Sequence, residues 1–266
     1  MRDEELRFGG QGMSVRIIIC GACGKMGGNV LSLLENDSEA TAVCGVDLYP
    51  KEIGIPVYAS FADIKEEADV IIDFSSPIGL TERLEYAKTH KLGIVLASTG
   101  FSAEDLKTVD NYSKEVAIFK TANLSLGVNL MQALIKAAAE VLGDSYDVEI
   151  IERHHNLKKD APSGTALMLA DTINEAFDNQ KRYVNGRDGI VGAREKSEIG
   201  IHAIRGGTIV GEHEVMFAGE DEIITITHSA RSKRVFAVGA IRAAKFLPQK
   251  QAGMYEMKDL LAEENA

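Results

Sequence analysis

The run Glu152-Arg-His-His-Asn-Leu-Lys-Lys-Asp-Ala-Pro-Ser-Gly-Thr-Ala166 gathers most of the groups in this chain that could do chemistry. His154 and His155 can exchange a proton near neutral pH, and Lys158 and Lys159 bring positive charge. The run lies between a strand-like segment, residues 147–151, and an apolar helix-like segment, residues 167–177. A strand-to-helix loop ending in Pro-Ser-Gly-Thr offers backbone N–H groups at a helix N-terminus, where a carboxylate can bind. Taken alone, the run predicts a site for an anionic substrate that must also be protonated. Asp160 is expected to orient the loop or pair with a lysine. Ser163 could instead be a hydrolase nucleophile beside a histidine, but the G-x-S-x-G elbow is lacking.

A second constellation precedes it. Gly21-Ala-Cys-Gly-Lys-Met-Gly27 follows a β-branched run, residues 15–20, and opens a helix-like segment. Glycines there permit a tight turn and let backbone N–H groups approach a pyrophosphate. Gly21, Ala22, Cys23, Gly24, Lys25, Met26 and Gly27 are therefore candidate dinucleotide contacts. The spacing is G-x-x-G-x-x-G, with Cys23 where the middle glycine usually falls. Asp47 ends the next strand-like run, 20 positions after Gly27, where a carboxylate can accept from the adenosine ribose hydroxyls.

The elements that must position these groups alternate. Strand-like runs at 15–20, 41–46, 70–74, 93–97 and 116–120 are separated by helical patterns, with Pro77 in the first turn of one and a capping box at Ser102–Asp105 opening another. This predicts an α/β fold, a Rossmann-like doubly wound parallel sheet over residues 13–123. A long helix, 128–142, then opens a smaller α+β domain, 124–240. Its last strands, 199–205, 208–217 and 222–229, follow one another without helices and predict an antiparallel or mixed sheet, with Gly206-Gly207 as a hairpin turn. Residues 177–197 read as a surface loop, 1–12 as a disordered extension, and the tail, 241–266, as packing back on the first domain.

With 29 basic and 40 acidic side chains the net charge is −11, which argues against general nucleic-acid binding. An apolar run near membrane-spanning length and the core of a signal peptide are both lacking, so no membrane partner and a cytoplasmic location are expected. Cys20, Cys23 and Cys44 read as free thiols, and no metal site is expected. His90, His202, His213 and His228 fall in helix or strand contexts and read as structural.

The first run closely resembles the signature of the 4-hydroxy-tetrahydrodipicolinate reductase (dihydrodipicolinate reductase) family, Glu-x-His-His-x-x-Lys-x-Asp-Ala-Pro-Ser-Gly-Thr-Ala, and every fixed position matches. The resemblance extends to the glycine turn, to Ala97-Ser-Thr-Gly-Phe101 and to Ala122-Asn-Leu-Ser-Leu-Gly-Val-Asn129. It implies reduction of a cyclic imine dicarboxylate with NADH and/or NADPH in lysine and diaminopimelate biosynthesis. It further implies His154 as proton donor, with Lys158 sharing that role or stabilising charge at the ring nitrogen. His155, Ser163, Gly164 and Thr165 would contact the substrate carboxylates. Phe74, Ala97, Ser98, Thr99, Ala122, Asn123, Leu124 and Ser125 would complete the cofactor site, and the second domain would join a homotetramer. Leu48 and Ser75-Ser76 stand where some members of the family carry arginine, which removes positive charge from where an NADP 2′-phosphate would sit. Two other readings remain: a different two-domain NAD(P)-dependent dehydrogenase acting on a small carboxylate, and a non-catalytic NAD-binding sensor.

Overall fold

The structure is a computed structural model that describes residues 14–264, so the extension expected over residues 1–12 lies outside the described residues. The chain forms two compact units: one runs to Leu124 and resumes at Phe236, the other is Ser125–Val235. In chain order the elements are β1 (Val15–Cys20), α1 (Lys25–Leu34), β2 (Ala40–Val46), β3 (Val57–Tyr58), β4 (Val70–Asp73), α2 (Leu80–His90), β5 (Gly93–Leu96), α3 (Ala103–Tyr112) and β6 (Ala117–Lys120). The second unit continues with α4 (Leu126–Leu142), β7 (Asp147–His154), α5 (Gly164–Glu175), β8 (Arg182–Asn185), β9 (Glu198–Arg205), β10 (Gly211–Ala218) and β11 (Ile223–Ala230). Then follow α6 (Arg234–Phe246), β12 (Gly253–Tyr255) and α7 (Met257–Glu264).

The first unit is a parallel sheet in the order β12-β6-β5-β4-β1-β2-β3. Its central strands are short apolar runs buried on both faces, as Ile17, Ile18 and Ile19 and then Val70, Ile71 and Ile72 show. Leu84 and Ala87 of α2 and Val109 of α3 pack with Ile18, Ile71, Ile94 and Ile118 into one core. Ser102 and Asp105 make the capping box at the start of α3. Pro77, expected inside the first turn of α2, lies in the turn before it. Arg83 accounts for this: its buried guanidinium pairs with Asp73 at 2.9 Å and donates to the Ile78 carbonyl at 2.8 Å, which fastens the loop outside the helix.

The second sheet has the order β11-β10-β7-β9-β8 and is mixed. β10 runs antiparallel to β11 and β7, whereas β9 runs parallel to β7 and β8. The expected hairpin between β9 and β10 therefore does not form, because β7 lies between them. The Gly206-Gly207 segment instead passes over the end of β7, with Gly206 N donating to the His154 carbonyl at 2.9 Å and the Gly207 carbonyl accepting from Asn156 N at 3.2 Å. Residues 182–185, read as loop, form the edge strand β8. Beyond it, Arg187 and Arg194 fasten the following segment to Glu149, whose carboxylate fills the space a side chain at Gly200 would need. One face of this sheet packs Ile150, Ile199, Ile201, Val215 and Phe217 against Met131, Ile135, Leu169 and Ile173 of α4 and α5. By length and composition alone α4 with its short extension, Leu126–Ser145, is apolar enough to cross a membrane, which the sequence reading had not expected. Its stripe of Val128, Met131, Ile135 and Ala139 is buried, the spacing of a core helix.

Candidate active site

Successive residues of β7 alternate, so Val148, Ile150 and Glu152 share the face turned to the core. Glu152 closes that row as a fully buried carboxylate. Its Oε2 accepts from His154 Nδ1 at 2.6 Å and from Arg205 Nη1 at 2.8 Å. Its Oε1 accepts from Ser163 N at 3.0 Å and from Arg205 Nη2 at 2.7 Å. Burial pushes the Glu152 carboxyl up, but Arg205, His154 and the Ser163 amide outweigh it and leave it below the usual carboxylate range. An ionised Glu152 fixes the proton of His154 on Nδ1, so Nε2 is the nitrogen left for proton exchange. Gly211 gives that nitrogen room, since a Cβ there would lie 3.1 Å from it.

Ser163 is the N-cap of α5, and its Oγ accepts from Ala166 N at 3.2 Å. The same oxygen lies 3.2 Å from His213 Nε2, a hydrogen bond whose donor is set by the tautomer of that imidazole. Gly164 is exposed at the helix start and Thr165 half-buried. His155 follows the end of β7 with its Nδ1 buried and unpartnered among the described residues. Lys158 Nζ sits 2.9 Å from both carboxylate oxygens of Asp160, the pairing foreseen for that aspartate. His213, read from sequence as structural, is buried and packs edge-on against His154 with ring centroids 5.2 Å apart. Burial first, then the neighbouring His154, holds its imidazole down at about 4, so it stays neutral.

In the first unit the candidate cofactor residues all follow the C-terminal ends of parallel strands, where open α/β sheets bind ligands. Gly21 to Gly27 follow β1, Asp47 follows β2, Phe74 follows β4, Ala97 to Thr99 follow β5, and Ala122 to Leu124 follow β6. Ser125 opens the second unit and caps α4 through Val128 N at 3.3 Å. Gly21 has φ +74°, and a Cβ on it would meet the Phe74 carbonyl at 3.0 Å. A Cβ on Gly27 would lie 2.4 Å from the Gly21 carbonyl, so helix and turn can approach only without one. Gly24 begins α1 in an extended conformation and supplies no side-chain cap. The Asp47 carboxylate accepts from Cys23 N at 3.0 Å and Tyr49 N at 3.1 Å, which joins it to the glycine turn. These features fit a dinucleotide: a tight turn at an uncapped helix N-terminus, with a carboxylate fixed beside it.

The family model described as "Dihydrodipicolinate reductase, N-terminus" matches residues 15–124, and "Dihydrodipicolinate reductase, C-terminus" matches residues 127–261. The chain belongs to the dihydrodipicolinate reductase family. A 4-hydroxy-tetrahydrodipicolinate reductase of Caldanaerobacter subterraneus subsp. tengcongensis is 51% identical over 249 residues, 94% of this chain and 99% of that protein. The Clostridium novyi reductase of the same name is 44% identical over 251 residues, again 94% and 99%. Among solved structures, a dipicolinate-bound dihydrodipicolinate reductase from Paenisporosarcina sp. TG-14 shares the fold with a TM-score of 0.74, at 24% identity over 92% of this chain and 98% of that one.

Within this reductase family member, the sequence pattern located the loop but not its supports. Glu152 stood in the signature without a role, and Arg205 and His213 lie 53 and 50 positions from the groups they touch. An arginine and a histidine on the two strands that flank β7 carry no local spacing that marks them; the mixed order of the second sheet brings them to β7.

Proposed function

We propose that this chain reduces 4-hydroxy-tetrahydrodipicolinate to tetrahydrodipicolinate with NADH or NADPH, a step of lysine and diaminopimelate biosynthesis. Full-length membership of the reductase family supports this reading, and one observation of the structure carries its mechanism: His154 is held by a buried, ionised carboxylate with Nε2 left for a proton. The change of substrate into product replaces a hydroxyl by hydrogen, so one hydride and one proton enter and water leaves. A bound nicotinamide supplies the hydride. The glycine turn Gly21–Gly27 and Asp47 hold the dinucleotide, with Phe74, Ala97, Ser98, Thr99, Ala122, Asn123, Leu124 and Ser125 on the nicotinamide side.

His154 delivers the proton from Nε2. Lys158 supplies a positive charge to the substrate and shares in proton delivery once the substrate draws it from Asp160. His155, Ser163 and the backbone of Gly164 and Thr165 take the substrate carboxylates at the start of α5, where the helix favours an anion. Ser163 acts there as the cap that shapes this helix start. The protein works in the cytoplasm as a homotetramer joined through the Ser125–Val235 unit. Steady-state assays with the freshly made condensation product of pyruvate and aspartate semialdehyde, against other small carboxylates, test the reading. Turnover of that cyclic substrate alone is expected; turnover of another carboxylate in its place would favour a different dehydrogenase, and binding of NADH without any turnover a sensor.

A further inference from the structure

One side chain touches both parts of this loop. Arg205, the last residue of β9, gives Nη1 and Nη2 to the two oxygens of Glu152, and Nη2 also donates to the Asp160 carbonyl at 2.7 Å. Behind Glu152 stands His154; ahead of that carbonyl, the Asp160 carboxylate pairs with Lys158. The guanidinium therefore joins the carboxylate that orients one proton-handling group to the residue that holds the other. We infer that Arg205 is a positioning residue for proton delivery, fixing the loop between His154 and Lys158 and balancing the charge of Glu152 so that His154 keeps a proton affinity suited to turnover. This rests on the reading of His154 as proton donor. Against His154 stand Glu152 from its own strand and His213 from β10, with His155 next in the chain; Arg205 from β9 holds Glu152 from behind, and the Lys158–Asp160 pair of the loop is joined to that guanidinium through the Asp160 carbonyl. His213 is neutral, so the cation facing Glu152 directly is Arg205. A planar fork meets two oxygens and a carbonyl together, which the single ammonium of a lysine cannot do.

The test compares Arg205→Gln and Arg205→Lys with wild type, in kcat and KM and in the titration of the His154 imidazole followed by nitrogen-15 NMR. His154→Ala assigns the resonance. Arg205→Gln leaves Glu152 uncompensated, which favours the imidazolium. Its His154 titration should rise by about half a pH unit or more, and the alkaline limb of kcat should move with it. In both variants kcat should fall at least about tenfold through misplacement of the loop, with KM for NADH within about twofold of wild type. Arg205→Lys keeps the charge and loses the fork, so the His154 titration should stay near wild type while kcat stays low. An unmoved titration in Arg205→Gln, or wild-type kcat in Arg205→Lys, would overturn the inference, and the lysine variant alone decides if the glutamine variant does not fold. Should the titration move while the kcat limb does not, the reading of His154 as proton donor falls, and not the control of its proton affinity by Arg205.

Discussion

Glu152 can be buried as a carboxylate because its oxygens are occupied by an arginine fork, an imidazole and a backbone amide. His154 hangs from it, and replacing the two proposed proton-handling groups separates chemistry from cofactor binding. His154→Ala and Lys158→Ala should each lower kcat by roughly 10²–10⁴-fold with NADH binding nearly unchanged, the loss expected for one positioned acid. Retention of more than about a third of kcat in both variants would refute the roles. His213 makes a prediction of its own. Its imidazole is held at about 4 against an ordinary 6.5, a depressed value that makes protonation favour the unfolded chain. Its contribution is complete above 6.5 and is lost as pH falls towards about 4, on the order of 3 kcal/mol in all. Urea unfolding of His213→Gln across that range should show a shallower loss of stability than wild type, and equal slopes would contradict the account. The histidine pair and Lys158 could be read from the signature alone. The support of Glu152 by Arg205 could not, because it depends on which strand neighbours β7.

At the scale of elements, the five inner strands of the parallel sheet were legible because each is a short apolar run beside a helical pattern, and Ser102 with Asp105 announced α3 outright; the edge strands β3 and β12, two and three residues long, carry too little pattern to be seen. The second sheet was misread where periodicity says nothing about partners. β9 and β10 alternate like a hairpin, yet β7 pairs with both, and the short, half-buried Arg182–Asn185 strand has too little apolar pattern to be seen. Gly27 tests the element that the sequence displayed most clearly. Gly27→Ala would place a methyl 2.4 Å from the Gly21 carbonyl and 2.5 Å from the Ala22 carbonyl, so α1 must move off the turn. The expected result is a loss of about 1–3 kcal/mol in stability with weakened NADH binding, read by thermal unfolding and by fluorescence titration. Unchanged values in both would show that the close approach is not needed. The Asp47 carboxylate accepts from the amide of Cys23 in the same turn, and in its proposed place at the adenosine ribose it would favour a diol over a 2′-phosphate. NADH should be used at least as well as NADPH, and a preference for NADPH above about tenfold in kcat/KM would contradict it.

For the whole molecule, a net charge of −11 argues against general nucleic-acid binding, and the proposed anion site is local, at the start of α5. The proposed tetramer predicts a mass in light scattering about four times the 28.8 kDa of one chain, and a monomer at micromolar concentration would rule it out. The central claim, hydride transfer to the cyclic dicarboxylate with the proton supplied by this loop, is tested most directly by isotope transfer. NADH carrying deuterium at both C4 positions is incubated with the enzyme and freshly condensed substrate, and the product is analysed by mass spectrometry. The account predicts tetrahydrodipicolinate carrying a single deuterium, formed in step with NADH oxidation and nearly abolished in His154→Ala. Oxidation of NADH without deuterium in that product, or product formed at the same rate without His154, would contradict it.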